Sequence, residues 1–411
     1  MFDVNKIREQ FPIFKNNPDV IYFDNASTTQ KPLSVIDCLG NFYMSSCSNI
    51  GRGSYSWAGE NYLRVKEVRE KVAKFINASQ AKEVIFTNGA THSSNAITSA
   101  WGMGNLKMGD EVMICHSDHK STVLPWIDLQ RKLEKIGVLI KIVPIKIHPL
   151  GDYDESDLYS KVNAKTKVVV LTHIHNVYGM EMSINNIVTK IRPKSEDCII
   201  VLDAAQSIAH INVDVQNLDV DFLYFSGHKM FGVNGVGVLW VRKNLHDRLT
   251  HYMLGGDVGG GSSGSVLKKV GENLNEKLET GTLNIPAIIS LGKAVDFINI
   301  IKIEEIEKYI FDLTWYLIEN LNEIDSVEFL PGPAKCKCAV GYGIISFRVK
   351  GINSADVGFV LNEHKMFLRT GSHCLSKSDE EGSIRVSFQV YNTKEEIDKF
   401  VSVIREIALS Y

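Results

Sequence analysis

Two short apolar runs, CIIVLD (198–203) and FLYFS (222–226), constrain this chain more than any other stretch. Both are strand-sized and rich in β-branched or aromatic residues, and read as buried strands. Each closes on polar groups. Asp203, with Gln206 three positions on, ends the first; Ser226-Gly227-His228-Lys229 ends the second. Ligands of α/β sheets bind at the carboxyl ends of strands, so these groups stand where a ligand is expected.

An acid at one strand end and a Ser-x-His-Lys group at the next suit a ring cofactor with a phosphate tail. Asp203 suits a salt bridge to a pyridine nitrogen. Ser226 and His228 suit donation to the phosphate, and Lys229 suits an imine with an aldehyde. Those are the demands of pyridoxal 5'-phosphate. Taken singly, each residue has an ordinary explanation: an Asp after a strand often caps the next helix, and a lone Lys is often simply solvated. The pairing carries the reading. GVNGVG (232–237) has dinucleotide-like glycine spacing but precedes a strand instead of opening a helix, which argues against that use.

The rest of the chain supplies a sheet for these strands. VIFT (84–87), EVMIC (111–115), LIKIVPI (139–145), KVVVLT (167–172) and VGVLWV (236–241) complete seven strand-like runs, most of them alternating with helix-length segments. That rhythm predicts βαβ units around a mostly parallel sheet. VGVLWV follows FLYFS too closely for a helical crossover, so that pair is expected to be antiparallel. After about residue 285 the rhythm changes to two long helices (287–301 and 303–324). The runs VEFL, GIISFRV, MFLRT and SIRVSF follow, with helices near 354–363 and 394–408. The expected organisation is a large α/β domain over 19–290 and a small α+β domain with an antiparallel sheet over 1–18 and 291–411. The glycine-rich stretch 255–265 reads as a mobile loop.

Composition excludes several classes. The 411 residues carry a formal net charge of −3, which leaves no footprint for nucleic acid or an anionic membrane. The longest apolar runs, such as VVVL at 168–171, are far short of a membrane span, and residues 1–14 lack a signal-peptide apolar region. Seven cysteines, an odd number without framework spacing, point to a reducing, cytoplasmic setting. Cys336-Lys-Cys338 has neither zinc nor redox spacing and reads as a surface hairpin, so no metal site is expected.

Further candidates lie outside the opening stretch. Thr87 to Thr91 follow a strand and open a helix, which makes an anion site of Ala90 and Thr91 unless Thr91 merely caps. Asn25 and Ala26 begin a small polar cluster, running to Thr29, that suits a loop whose backbone approaches a ligand. His119 lies just beyond EVMIC. Arg385, in SIRVSFQ, offers the planar fork that matches a carboxylate. Cys374, in RTGSHCLS, has polar, glycine-containing neighbours of the kind that surround reactive thiolates.

The segment FSGHKMFGVNGVG resembles the lysine motif of the class V aminotransferase family, and RTGSHC resembles the cysteine motif of its group II (SUF-type) cysteine desulfurase and selenocysteine lyase branch. The likeness runs from about Tyr22 to Ile407. It implies a fold-type I enzyme with pyridoxal phosphate on Lys229 and Asp203 at the ring nitrogen. Gln206 would meet the phenolic oxygen and His119 the ring face. The phosphate would rest on Ala90, Thr91, Ser226 and His228, joined by Thr282 from a second subunit, hence a homodimer. Arg385 and Asn176, with Arg369 as a second candidate, would hold a substrate carboxylate. Cys374 would take sulfur from L-cysteine as a persulfide, release L-alanine, and pass the sulfur to an acceptor or scaffold protein for iron–sulfur cluster assembly. Alternatives are a selenocysteine or cysteine-sulfinate lyase, or a non-catalytic sulfur-carrier scaffold. The chain departs from the pattern at Ser372, Gly51 and Tyr55, where relatives carry histidine, at Ser27 of ASTTQ, and in the short segment between Cys374 and Arg385.

Overall fold

Alternate side chains of the central strands go to opposite sides, and both sides are buried. The computed structural model describes residues 2–50, 53–255, 273–335, 341–373 and 382–410. A two-residue strand β1 (Ile21–Tyr22) is followed by β2 (Val84–Thr87), β3 (Glu111–Cys115), β4 (Lys141–Ile145), β5 (Thr166–Thr172), β6 (Ile199–Asp203), β7 (Phe222–Ser226) and β8 (Gly237–Val241). After the long helices come β9 (Val327–Phe329), β10 (Ile344–Val349), β11 (Met366–Phe367), β12 (Arg369–Gly371) and β13 (Ser383–Ser387).

The seven expected strands form one sheet in the order β2-β8-β7-β6-β5-β3-β4. All its pairings are parallel except those of β8, which runs antiparallel to both β2 and β7. The connection 227–236 is too short for a crossover, so β8 must turn back. Val169, Leu171, Ile200, Leu202, Leu223 and Phe225 point into one apolar core, shared with the helix Ile285–Ile301. Val168, Val170, Ile199, Val201, Phe222 and Tyr224 point into another, with Trp101 and Trp126. A sheet covered on both faces needs apolar residues at every position, which is why these strands read as continuous runs. Each fully buried aliphatic side chain contributes about 1.5–3 kcal/mol.

The second sheet has the order β12-β13-β10-β9 and is antiparallel throughout. MFLRT, expected as one strand, serves two sheets. Met366 and Phe367 pair in parallel with β1, whereas Arg369 to Gly371 pair with β13. The Phe23 N–H donates to the Phe367 carbonyl at 2.7 Å, so the first pairing ends just before Leu368. Helices Ile303–Leu321, Ser354–Glu363 and Lys394–Leu409 match expectation. Phe11 and Phe14 of the N-terminal segment pack on Tyr391, with ring centroids 4.6 and 4.9 Å away. Most of the glycine-rich stretch, Gly51, and Cys336, Cys338 and Cys374 lie outside the described residues. Among the described residues no helix is long and apolar enough to cross a membrane.

One loop couples the two sheets. Residues 173–182 leave β5 and fold back through Ile174–Glu181 and Met180–Gly341 bridges. Gly179 sits at φ +67, and a Cβ there would lie 2.1 Å from the Ile344 carbonyl oxygen of β10. Gly179→Ala is therefore expected to destabilise the protein by about 2–3 kcal/mol in denaturant titration. Gly137→Ala has the same backbone sign (φ +80) but open space around it. It should cost only about 1 kcal/mol; equal losses would show that the approach to β10 is unimportant.

Candidate active site

Parallel strands all present their carboxyl ends to the same edge of the sheet, and there β5, β6 and β7 end in Thr172, Asp203 and Ser226. The β5–β6 register sets Thr172 beside Asp203. A cavity of about 190 Å³ opens over these ends, lined by Asp203, Gln206, Ser226, His228 and Lys229 of the opening stretch. Ala26, Ala90, Thr91, His119, Asn176, Arg369, His373 and Arg385 complete its chemically relevant wall.

Asp203 is buried and held by neutral donors. The Thr122 hydroxyl donates to its Oδ2 at 2.6 Å and the Ala205 N–H to its Oδ1 at 2.9 Å. The Tyr224 hydroxyl donates in turn to the Thr122 oxygen at 3.2 Å, so the relay has a fixed direction. No helix follows Asp203 directly; its carboxylate caps a turn. His119 ends its own approach to the helix Lys120–Lys135 by capping it. Its Nδ1 accepts the Ser121 N–H at 3.2 Å, which leaves the proton on Nε2. Burial, and then the charge of Lys229, push His119 down to about 4, so the ring is neutral at pH 7.

At the other end, the Ala90 N–H donates to the Ser226 hydroxyl at 2.8 Å, at the start of the helix Ala90–Ile97. Gly89, at φ +146, occupies the cap position, so Thr91 does not cap this helix. A Cβ on Gly237 would come 2.5 Å from the Gly89 Cα, so β8 and the helix entrance meet backbone to backbone. Burial and the Lys229 charge push His228 down to about 4. Thr282 lines a separate hollow with Asn88 and Met253, away from the cavity of its own chain.

The turn Gly227–Lys229 is fastened from across the sequence. The His228 carbonyl accepts from the Thr29 N–H at 3.0 Å and from Thr28 Oγ1, Thr29 Oγ1 and Lys31 Nζ, each at 3.1 Å. Lys31 is mostly buried, and burial pulls its ammonium down to about 7. Gln206 donates to the Ala26 carbonyl at 2.9 Å, tying the same loop to the end of β6. Asn25 does not line the cavity. Its amide donates to the Ser387 carbonyl at 2.7 Å and to Asn392 at 3.1 Å, so it anchors the loop.

Arg385 is fully buried and donates to the Asn176 carbonyl (3.0 Å), Asp24 Oδ1 (3.1 Å) and Ser27 Oγ (3.0 Å). Arg369 sits directly opposite it in the β12–β13 pairing, with Nε 3.8 Å from Asp24 Oδ2. The Asn176 side-chain amide donates to the His373 carbonyl at 3.1 Å, and its side-chain oxygen Oδ1 is buried without a partner among the described residues. His373 lines the cavity, is held by Ser383 at 2.9 Å, and is pushed down to about 3 by burial and the two arginines. Cys374, outside the described residues, is its immediate successor in the chain.

Asp24, Thr122, Lys31 and His373 had not been singled out in the sequence. Thr122 was accessible in principle, because it lies one helical turn beyond His119. Asp24 and Lys31 carry no local signal of their place in the site; besides near neighbours they reach Arg385 and the His228 carbonyl, some two hundred residues or more away.

A family model described as aminotransferase class-V matches residues 21–400. A cysteine desulfurase of Wigglesworthia glossinidia brevipalpis is 31% identical over 418 residues, spanning 99% of this chain and 98% of its own. A probable cysteine desulfurase of Halalkalibacterium halodurans is 33% identical over 407 residues, 96% of each chain. The apo structure of a cysteine desulfurase from Thermococcus onnurineus superimposes with a TM-score of 0.89 at 30% identity, covering 99% of this chain and 98% of that one.

The buried histidines set an acid limit. His119, His173, His175 and His228 titrate near 4 and His373 near 3 in the folded chain, against about 6.5 unfolded. Unfolding therefore takes up protons between about pH 4 and 6.5, and stability falls as pH drops through that window. Asp118, fully buried and raised to about 7, works in the opposite sense, as do Glu181, Asp221 and Glu396, whose carboxyls burial also raises, but the depressed histidines outnumber them. The melting temperature of the cofactor-free protein is expected to fall steadily from pH 7 to pH 5; a flat or rising curve would contradict these burials.

Proposed function

The chain belongs to the class-V aminotransferase family, and within it we propose that it is a pyridoxal-phosphate-dependent cysteine desulfurase, releasing L-alanine from L-cysteine and retaining the sulfur on Cys374. One observation carries this reading: a single cavity joins Lys229 and Asp203 to Arg385, and the residue preceding Cys374 forms part of its wall.

The residues suit the cofactor on their own chemistry. Asp203 accepts from the neutral donors Thr122 and Ala205 at the floor of the cavity, and a buried carboxylate there suits a pyridinium nitrogen. The helix start at Ala90, with Thr91, Ser226 and His228 around it, suits a phosphate dianion. Bound there, the cofactor supplies a sink for the electron pair released at the substrate Cα.

Everything else falls to the chain. With the cofactor bound, Asp203 would hold a proton on the ring nitrogen, Gln206 would meet the phenolic oxygen, and the neutral ring of His119 would pack against the pyridine face. Lys229, as a neutral amine, would take the Cα proton and return one. Such positioned groups contribute roughly 10²–10⁴-fold. Arg385, helped by Asn176 and Arg369, holds the α-carboxylate, and Ala26 closes the same side. The Cys374 thiolate attacks the substrate sulfur. An S–S bond forms, the Cβ–S bond breaks, and its electron pair stays with the carbon that becomes the alanine methyl group. His119 is the group we assign to handle protons near the substrate thiol.

The sulfur then passes to an acceptor or scaffold protein, and we assign that transfer to iron–sulfur cluster assembly in the cytoplasm. We further propose a homodimer in which Thr282 of a second copy completes the phosphate site. The helices Leu33–Ser45 and Ser56–Phe75 support this, because they leave Tyr43, Met44, Trp57 and Leu63 about half exposed or more. Apolar side chains concentrated in this way mark an association surface.

Lys229→Ala should abolish both turnover and the visible absorbance of the loaded protein. Cys374→Ala should keep the absorbance but form no alanine from L-cysteine; full activity in that variant overturns the mechanism. Arg385→Lys should lower kcat/KM roughly 10–100-fold, mostly through KM, since a hydrogen bond to a charged group is worth about 1.5–3 kcal/mol.

A further inference from the structure

We propose that Asp118 is a positioning residue that acts as a hydrogen-bond donor, holding the end of β5 and the loop of His119 together behind the cavity. Its bearing on catalysis rests on the proposed reading of the site; its role as a donor does not.

Asp118 directly precedes His119 and is fully buried. Tyr153, from the turn before the helix Glu155–Lys161, joins it to β5. The Thr172 N–H donates to the Tyr153 hydroxyl oxygen at 2.8 Å, and the Tyr153 O–H donates to Asp118 Oδ2 at 2.9 Å. Thr172 is the last residue of β5, lines the cavity and stands beside Asp203. Asp118 Oδ1 and Thr172 Oγ1 are both buried without a partner among the described residues, although Thr172 is near enough to act on the carboxyl. A proton on Asp118 Oδ1 satisfies both: the acid donates and the Thr172 oxygen accepts.

The surroundings favour that protonated form. The titratable groups around Asp118 are Cys115 and His119 on its own segment, Tyr153, His175 after β5, Asp203 of β6 and Tyr224 of β7. None of them supplies a cation at neutral pH. His119 is neutral, and burial pushes His175 down to about 4. The His175 Nε2 is 3.9 Å from Asp118 Oδ1, but its proton goes to the Ser117 carbonyl at 2.9 Å. Its Nδ1 accepts from the Val177 and Tyr178 N–H groups at 3.2 Å each, which fixes that tautomer. A buried carboxylate without a counter-charge is costly, whereas a carboxylic acid kept neutral by its site can donate. Burial raises Asp118 to about 7, and Asp203 adds to the rise. The acid thus fastens the wall without setting a second negative charge near Asp203.

Difference infrared spectra of the loaded protein test the donor. Subtracting Asp118→Asn from the parent should leave a protonated-carboxyl band at pH 6 that fades as pH rises through about 7. The same subtraction made on Thr172→Val, which lacks the acceptor, should show that band shifted. Only ionised carboxylate at pH 6, or a band that Thr172→Val leaves in place, overturns the inference. A carboxyl raised on folding opposes stability as pH climbs, so the melting temperature of Asp118→Asn should gain on the parent's between pH 5 and pH 7. Turnover tests the positioning. Asp118→Leu should lower kcat about tenfold with KM within about threefold of the parent, and Asp118→Asn, which can still donate, should recover most of that loss. An unchanged kcat in Asp118→Leu would overturn the positioning role. If Asp118→Leu does not fold, the infrared comparison decides alone. A parent enzyme that forms no alanine from L-cysteine would refute the desulfurase reading instead, and the infrared bands would still test the donor.

Discussion

A carboxylate buried at the end of a central strand has to be met by donors, and the way Asp203 is met organises the site. Tyr224 reaches across from the neighbouring strand β7 to Thr122, and Thr122 hands its own proton to Asp203. That relay ties β6, β7 and the helix after His119 into one arrangement, so His119 and the acid are positioned by the same contacts. The donors in it are neutral. A partly satisfied buried charge destabilises a fold on its own terms. It persists where a ligand supplies the missing counter-charge.

A second fastening works at right angles to the sheet. The loop 24–31 brings Thr28, Thr29 and Lys31 to the His228 carbonyl, Ala26 to Gln206, and Asp24 to the two arginines of the other sheet. The residues at the strand ends and the two arginines of the other sheet are therefore fastened to a single backbone segment. Neither half of the pocket is free to shift without the other.

Strands and their order were legible because a sheet covered on both faces demands apolar residues at every position, and the seven runs have no competing reading at that length. The reversal of β8, and the meeting of Asp203 and Lys229 in one cavity at the strand ends, were legible for a related reason: strand ends and short connections are local facts. MFLRT was not, since nothing in five residues reveals that Leu368 separates two sheets. Asn25 shows the opposite failure. Its setting in a small polar cluster suggested contact with ligand, whereas its amide is consumed by Ser387 and Asn392, distant residues that no local pattern discloses. Asp24 escaped notice because its meaning depends on two arginines being neighbours across β12 and β13, a relation that exists only after folding.

The anchoring of the loop 24–31 also orders events in time. Its carriers are synthesised before the central sheet, while Ser387, Tyr391 and Asn392, which receive Asn25 and Gln30, are synthesised after it. Contacts spanning 361 or more positions are slow to form, since the loop they close is nearly the entire chain. A nascent chain can therefore build most of its central sheet early, yet the pocket above it closes only when residues 387–392 arrive. Competence to hold a reactive aldehyde is withheld until they have been made.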